Sequence, residues 1–170
     1  MKTIAIFGGS GGLGLASAKS LAKEYKLVIG FNNSKDKADN ICKDLNNDGY
    51  SARAIEVNVD NIDSVKSFLK ISNSENDLKG VINAVGPPIP LKPLCDITED
   101  EFKSILSVDV FGAFNVLKES FLILSKLGGG SIVQFLTTAV LKTLENDGMS
   151  GIPKTAVMGI VRQLARGVKD

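Results

Sequence analysis

The sequence contains no histidine and no tryptophan. Without histidine, a Ser-His-Asp triad, a Cys-His dyad, a HExxH zinc site and a haem held through His are all excluded. Only two cysteines occur, Cys42 and Cys95, far apart and in no CxxC pair. Two isolated thiols predict a fold without disulfides in a reducing compartment, hence a cytoplasmic protein. Neither sign of charge dominates, since 20 Lys and Arg face 19 Asp and Glu for a net +1. That balance gives no electrostatic basis for binding nucleic acid or an anionic membrane. No apolar run approaches the ~18 residues of a membrane span, and the opening MKTIAIFGGS is too short in its apolar stretch for a signal segment. No metal site is expected.

What is present is ordinary globular composition. The 170 residues are 44% hydrophobic and 23% charged, which suits a single domain over residues 1–170. Strand and helix patterns alternate. Short apolar runs predict strands at Thr3–Phe7, Lys26–Phe31, Ala52–Val57, Gly80–Val85 and Ser131–Leu136. Helical patterns fall at Gly14–Glu24, from a Ser34 cap to Leu45, at Ile62–Ile71, from a Thr98–Glu101 capping box to about Leu127, and from about Ser150 to Val168. Four of the five prolines crowd Gly86–Leu94, which predicts a loop over the end of the fourth strand. Such alternation predicts an α/β fold with a doubly wound parallel sheet, Rossmann-like, with five strands in the order 3-2-1-4-5.

Five glycines stand among the seven residues Gly8-Gly9-Ser10-Gly11-Gly12-Leu13-Gly14. Between a first buried strand and a helix, such a loop lets backbone N–H groups approach a phosphate, and the helix dipole adds to the attraction. Both GxGxxG (Gly9, Gly11, Gly14) and GxxxGxG (Gly8, Gly12, Gly14) fit, whereas Leu15 stands where a Walker loop needs Lys. A purely structural turn would not need so many glycines. After the second strand, Asn33, Ser34 and Lys35 replace the usual ribose-binding carboxylate. Amide, hydroxyl and ammonium groups suit a 2′-phosphate, so NADP is favoured over NAD. Ser34 is equally accounted for as a helix cap.

Two charges fall on apolar helix stripes. Asp109 lies in the stripe Phe102, Ile105, Leu106, Ala113, Val116 and Leu117; Lys154 lies in the stripe Val157, Met158, Val161, Ala165 and Val168. Inward charges are costly unless paired or used. Either the two pair or snorkel to solvent, or they mark a site at the C-terminal ends of strands four and five.

These residues resemble the short-chain dehydrogenase/reductase family, especially its 3-oxoacyl-carrier-protein reductase branch, over the whole chain. The loop Phe7–Gly14 is similar to the family's TGxxxGxG motif, with Phe7 in the Thr place. Asn58-Val59 is similar to its adenine-side motif, Asn83-Ala84-Val85-Gly86 to its NNAG motif, and Val108–Val116 to its VNxxGxFxV run. The resemblance implies that Gly8, Ser10, Gly11, Gly12, Leu13, Gly14, Asn58, Val59, Asn83, Ala84, Val85 and Gly86 line a cofactor site, with a small carbonyl compound as substrate. It also places the family's catalytic positions. The Lys falls on Lys154, which in the family also binds the nicotinamide ribose. The Ser falls on Thr137, the Asn on Asp109 and the Tyr on Ser150. A serine hydroxyl is a far weaker acid than a phenol of pKa ~10, so impaired catalysis is expected, and Ser150 is also explained as an N-cap of the last helix. The alternative is an inactive NAD(P)-binding or sensing module of the same fold. A glycine-loop methyltransferase leaves the Asn83–Gly86 segment unexplained. The family pattern also implies further strands after the last helix, so the chain reads as C-terminally short, and a homo-oligomer through the fourth and last helices.

Overall fold

The computed structural model describes residues 1–167. A five-stranded sheet is built from β1 (Thr3–Phe7), β2 (Lys26–Phe31), β3 (Ala52–Glu56), β4 (Leu78–Asn83) and β5 (Ser131–Gln134). Its order is β3-β2-β1-β4-β5 and every neighbouring pair is parallel. The expected doubly wound topology is therefore the observed one.

The sheet is a partition between two cores. Side chains alternate along β1, so Ile4 and Ile6 pack to one side while Ala5 and Phe7 pack to the other. On the first side lie α1 (Gly12–Leu21) and α2 (Lys35–Asn47), which contribute Ala18, Ala38, Ile41, Cys42 and Leu45. On the second lie α3 (Ile62–Ser72), and the helix pair α4 (Glu99–Leu106) and α5 (Ala113–Lys126). Phe68 of α3 meets Phe7 with ring centroids 4.5 Å apart. Each such fully buried large side chain contributes roughly 1.5–3 kcal/mol. Cys42 is buried and Cys95 exposed, and both are free thiols, as the spacing predicts. Burial pushes the Cys42 thiol up to about 11.

Several boundaries differ from the sequence pattern, and β3, β4 and β5 end at Glu56, Asn83 and Gln134, before their apolar runs do. Helix α1 starts at Gly12 and ends at Leu21, because Gly11 already takes an extended N-cap conformation. The fourth helical run is not one regular helix: α4 and α5 are joined by a single-turn π segment at Ser107–Gly112 that contains Asp109. The Thr98–Glu101 capping box is formed in both directions. The last helix, α6, spans Gly148–Arg166, so Ser150 is not its N-cap. Asp147 holds that position and makes no side-chain cap bond, while Ser150 sits within the first turn. Pro153 falls in the second turn and is buried. The apolar stripe of α6 is only partly covered: Val157 is buried, Met158 and Val161 are half-buried and Ala165 is exposed. Val168 lies outside the described residues.

Candidate active site

The glycine loop turns the chain from β1 into α1 under tight steric limits. Gly8 has φ +70°, and a Cβ there would lie 2.8 Å from the Ala84 carbonyl oxygen. A Cβ on Gly14 would collide with the Gly8 carbonyl oxygen and lie 2.6 Å from the Gly9 Cα. Gly9 donates its N–H to the Gly30 carbonyl at 3.0 Å, and Gly11 donates back to the Gly8 carbonyl at 3.0 Å. The loop is thus locked from beneath. Above it the space is free: a Cβ on Gly12 would meet nothing within 4 Å. Gly12, Leu13 and Gly14 form the first turn of α1, where N–H groups have no intrahelical acceptor. Leu13 is exposed and Ser10 half-buried at the same rim. An open, donor-rich helix start fits a phosphate or pyrophosphate.

The contact of Gly8 with Ala84 and Val85 is the topological hinge of the site. Strand order reverses between β1 and β4, the switch point at which open α/β sheets hold a ligand crevice outside the strand C-termini. Asn83, 2% exposed, fixes the crevice floor. Its amide donates to Gln134 Oε1 at 2.8 Å and its oxygen accepts from the Val85 N–H at 3.3 Å. Gly86 opens the Pro-rich loop and is exposed. On the other side of the crevice, Asn33, Ser34 and Lys35 are all exposed at the end of β2. Ser34 occupies the N-cap position of α2 but makes no side-chain cap bond, which leaves its hydroxyl for another partner. Asn58 is exposed and Val59 buried at the end of β3.

The structure brings Asp109 and Lys154 together. Lys154 Nζ donates to Asp109 Oδ1 at 2.5 Å, with side chains 12% and 1% exposed. Asp109 Oδ2 is buried and has no hydrogen-bond partner among the described residues. Burial raises the Asp109 carboxyl above the usual carboxylate range, and the Lys154 ammonium opposes that rise. Thr137 lies three residues past β5 at the start of a short 3₁₀ turn (Thr138–Val140), where its Oγ1 accepts from the Ala139 N–H at 3.2 Å. Helix α6 packs on that turn, and a Cβ on Gly151 would lie 3.4 Å from the Ala139 Cβ. The start of α6, which carries Ser150, thus packs on the turn that follows Thr137, while Lys154 reaches Asp109. Ser150 stands one helical turn before Lys154 and is half-buried.

The short chain dehydrogenase family profile matches residues 2–170. The chain belongs to the short-chain dehydrogenase family. It is 25% identical over 169 residues to the 3-oxoacyl-(acyl-carrier-protein) reductase FabG of Staphylococcus aureus, an alignment covering 97% of this chain and 68% of that protein. A short-chain type dehydrogenase/reductase from Mycobacterium ulcerans superposes with a TM-score of 0.91 at 23% identity, covering 98% of this chain and 62% of that one. NAD+-bound xylitol dehydrogenase superposes with a TM-score of 0.89 at 24% identity, covering 97% and 65%. The chain thus spans about two thirds of the length of these short-chain dehydrogenases.

Sequence reasoning missed four members of the site's support. Gln134 pairs with Asn83 across β4 and β5. Asn115 of α5 donates to the Val59 carbonyl at 2.9 Å and so anchors the segment after β3. Gly112 lets the helix approach that same residue, since a Cβ there would lie 2.6 Å from Val59 Cγ2. Lys92 reaches from the Pro-rich loop to both carboxylate oxygens of Glu101 at 2.9 Å. The signal available was the Val108–Val116 run, which contains both Gly112 and Asn115; Gln134 and Lys92 carry none that periodicity reports. Among the described residues, no group of acidic, Cys or His side chains is placed to hold a metal, and no helix is long and apolar enough to cross a membrane.

Proposed function

We propose that this chain binds NADP(H) and serves a ketoreductase-type reaction on a small carbonyl compound, with the chemical step weakened by Ser150. The observation that carries the reading is the close approach of Gly8 to Ala84 and Val85 at the β1/β4 switch point, beside the open start of α1. The preference for NADP is supported by exposed Asn33, Ser34 and Lys35, with no carboxylate before Asp36. Asn58 and Val59 border the adenine side.

A bound nicotinamide dinucleotide would supply the hydride. Lys154 would hold the nicotinamide ribose through the ammonium donors that Asp109 leaves open. Thr137 keeps its O–H free to donate to a substrate carbonyl, because its oxygen is engaged as an acceptor by Ala139. Asn83 fixes the loop after β4 against which the cofactor would lie. Ser150 stands where an acid is required, and a hydroxyl of such high pKa is a poor proton donor near neutrality. That same residue favours a second reading, in which the chain keeps the pocket as a binding or sensing module and turns over little.

The test is titration of the protein with NADPH and NADH, followed by the fluorescence of the reduced nicotinamide against a background free of tryptophan. Saturable binding that is tighter for NADPH supports the assignment. Tighter NADH binding overturns the NADP preference, and no binding of either overturns the dinucleotide reading. Turnover of ketones then separates the enzyme from the sensing module. Two unpaired cysteines suit a reducing, cytoplasmic setting. A homo-oligomer through α4, α5 and α6 is supported by exposed Phe111, Phe114 and Ile152, and light scattering on the eluting protein tests it.

A further inference from the structure

The Asp109–Lys154 pair changes the charge of the site, not only its geometry. With an amide in the Asp109 place, a buried Lys154 would leave one positive charge beneath the crevice. With Asp109 the two charges cancel at 2.5 Å. Among the described residues neither side chain has a second ion-pair partner. Both are removed from solvent, so bulk salt screens them little. Asp109 Oδ2 has no donor of its own, so half of the carboxylate's negative charge is taken up by no local hydrogen bond.

The nucleotide reading fixes which part of a ligand meets this pair. The pyrophosphate belongs over Gly12 and Leu13. The adenosine half belongs on the β2–β3 side with Asn33, Ser34 and Asn58. The nicotinamide half therefore falls on the β4–β5 side, with Asn83, Thr137 and Lys154. Oxidised and reduced dinucleotides differ in the charge of that half: the oxidised ring is a cation and the reduced ring is neutral. A site of net positive charge disfavours the oxidised form. A neutral site does not.

Resting on the nicotinamide-binding reading above, we infer that Asp109 sets the redox preference of the pocket, shifting relative affinity toward the oxidised dinucleotide. Asp109 acts here as a positioning and charge-balancing residue through Lys154.

The test compares the ratio of the dissociation constants for NADP+ and NADPH, by calorimetry at pH 8, in the wild-type chain and in Asp109→Asn. The ratio is expected to move toward NADPH by about tenfold in the variant, the order that one elementary charge at ligand distance carries at a protein's effective dielectric. The shift persists at high salt. Asp109→Glu, which restores the charge, returns the ratio toward wild type. A ratio that stays within twofold while both forms still bind overturns the inference and leaves the cofactor reading standing. If the wild type binds neither form, the cofactor reading itself fails and the inference falls with it. Should Asp109→Asn not fold, Asp109→Ser with the same pair of titrations decides the question, since it removes the charge without adding volume.

Discussion

Lys154 on α6 reaches across to Asp109 in the π segment between α4 and α5, and the two atoms that meet are 2.5 Å apart. The bond joins the last helix to the helix pair that flanks the sheet. It also leaves an acid and a base that depend on each other, because 1% and 12% exposure deny both side chains a full hydration shell.

Removing one partner should therefore cost much more than removing both. Lys154→Met strands a buried carboxylate and is expected to cost ~3–5 kcal/mol, whereas Asp109→Asn in the same background recovers most of that loss. Urea unfolding of the two single variants and the double variant measures the coupling. A Lys154→Met cost below about 1 kcal/mol, with additive effects, would show that the pair holds no structural weight.

Opposite pH signatures are built into two carboxyls. Glu101 accepts the Thr98 N–H, the Lys92 ammonium and the Thr98 hydroxyl, and these hold it down at about 2. A depressed acid stabilises the fold above its ordinary value and loses that contribution as pH falls toward the depressed one. Glu101→Gln should flatten this part of the decline in melting temperature between pH 5 and pH 2, and should loosen the Pro-rich loop through loss of the charged Lys92 contact. Asp109 works the other way. Burial holds its carboxyl above the ordinary value, so ionisation costs stability as pH rises through that window, and acid relieves the cost. The difference between wild type and each variant across pH isolates each group. A Glu101→Gln variant whose melting curve tracks wild type down to pH 2 would show that the loop tie is idle.

The alternation of short apolar runs and helical stripes carried the whole topology, because burial on one or both faces leaves a period in the sequence. Ile41, Cys42 and Leu45 were legible for that reason and are buried as expected. Glycine density marked the loop, yet not which glycines are constrained from beneath. That depends on Ala84 and Ile29, which approach from other strands. The π segment left no trace, since one inserted residue barely disturbs an apolar stripe. Ser150 looked like a cap because its residue type favours caps, but α6 begins at Gly148. Asp109 and Lys154 stood out as misplaced charges. Their pairing needed the fold, because 45 residues separate them.

Two glycines of one helical turn should respond oppositely to a methyl group. Gly14→Ala forces a Cβ into the Gly8 carbonyl and the Gly9 Cα, both backbone atoms that cannot rotate away. A loss of roughly 1–3 kcal/mol is expected from such overpacking. Gly12→Ala meets nothing and gains up to about 1 kcal/mol from reduced backbone entropy. If phosphates lie over Gly12, that stabilised variant should still bind NADPH at least tenfold more weakly. Thermal melts and nicotinamide fluorescence on the same samples separate the two effects. Unchanged NADPH affinity in Gly12→Ala would move the phosphate site off the start of α1.

Restoring the acid is the sharpest test of chemistry. Ser150 precedes Lys154 by one turn of α6, and Gly151 beside it packs on the turn that follows Thr137. Ser150→Tyr replaces a hydroxyl of very high pKa with one near ~10, and a positioned general acid contributes about 10²–10⁴-fold. NADPH-dependent reduction of a small 3-oxoester should rise by at least about 100-fold over the wild-type chain. Because Asp109 engages Lys154, the gain should grow further in Ser150→Tyr combined with Asp109→Asn, where the ammonium is free to act on the phenol. A Ser150→Tyr chain that binds NADPH as wild type does, yet shows no gain with or without Asp109→Asn, would place the missing chemistry outside this cluster. The pocket would then be a binding site first.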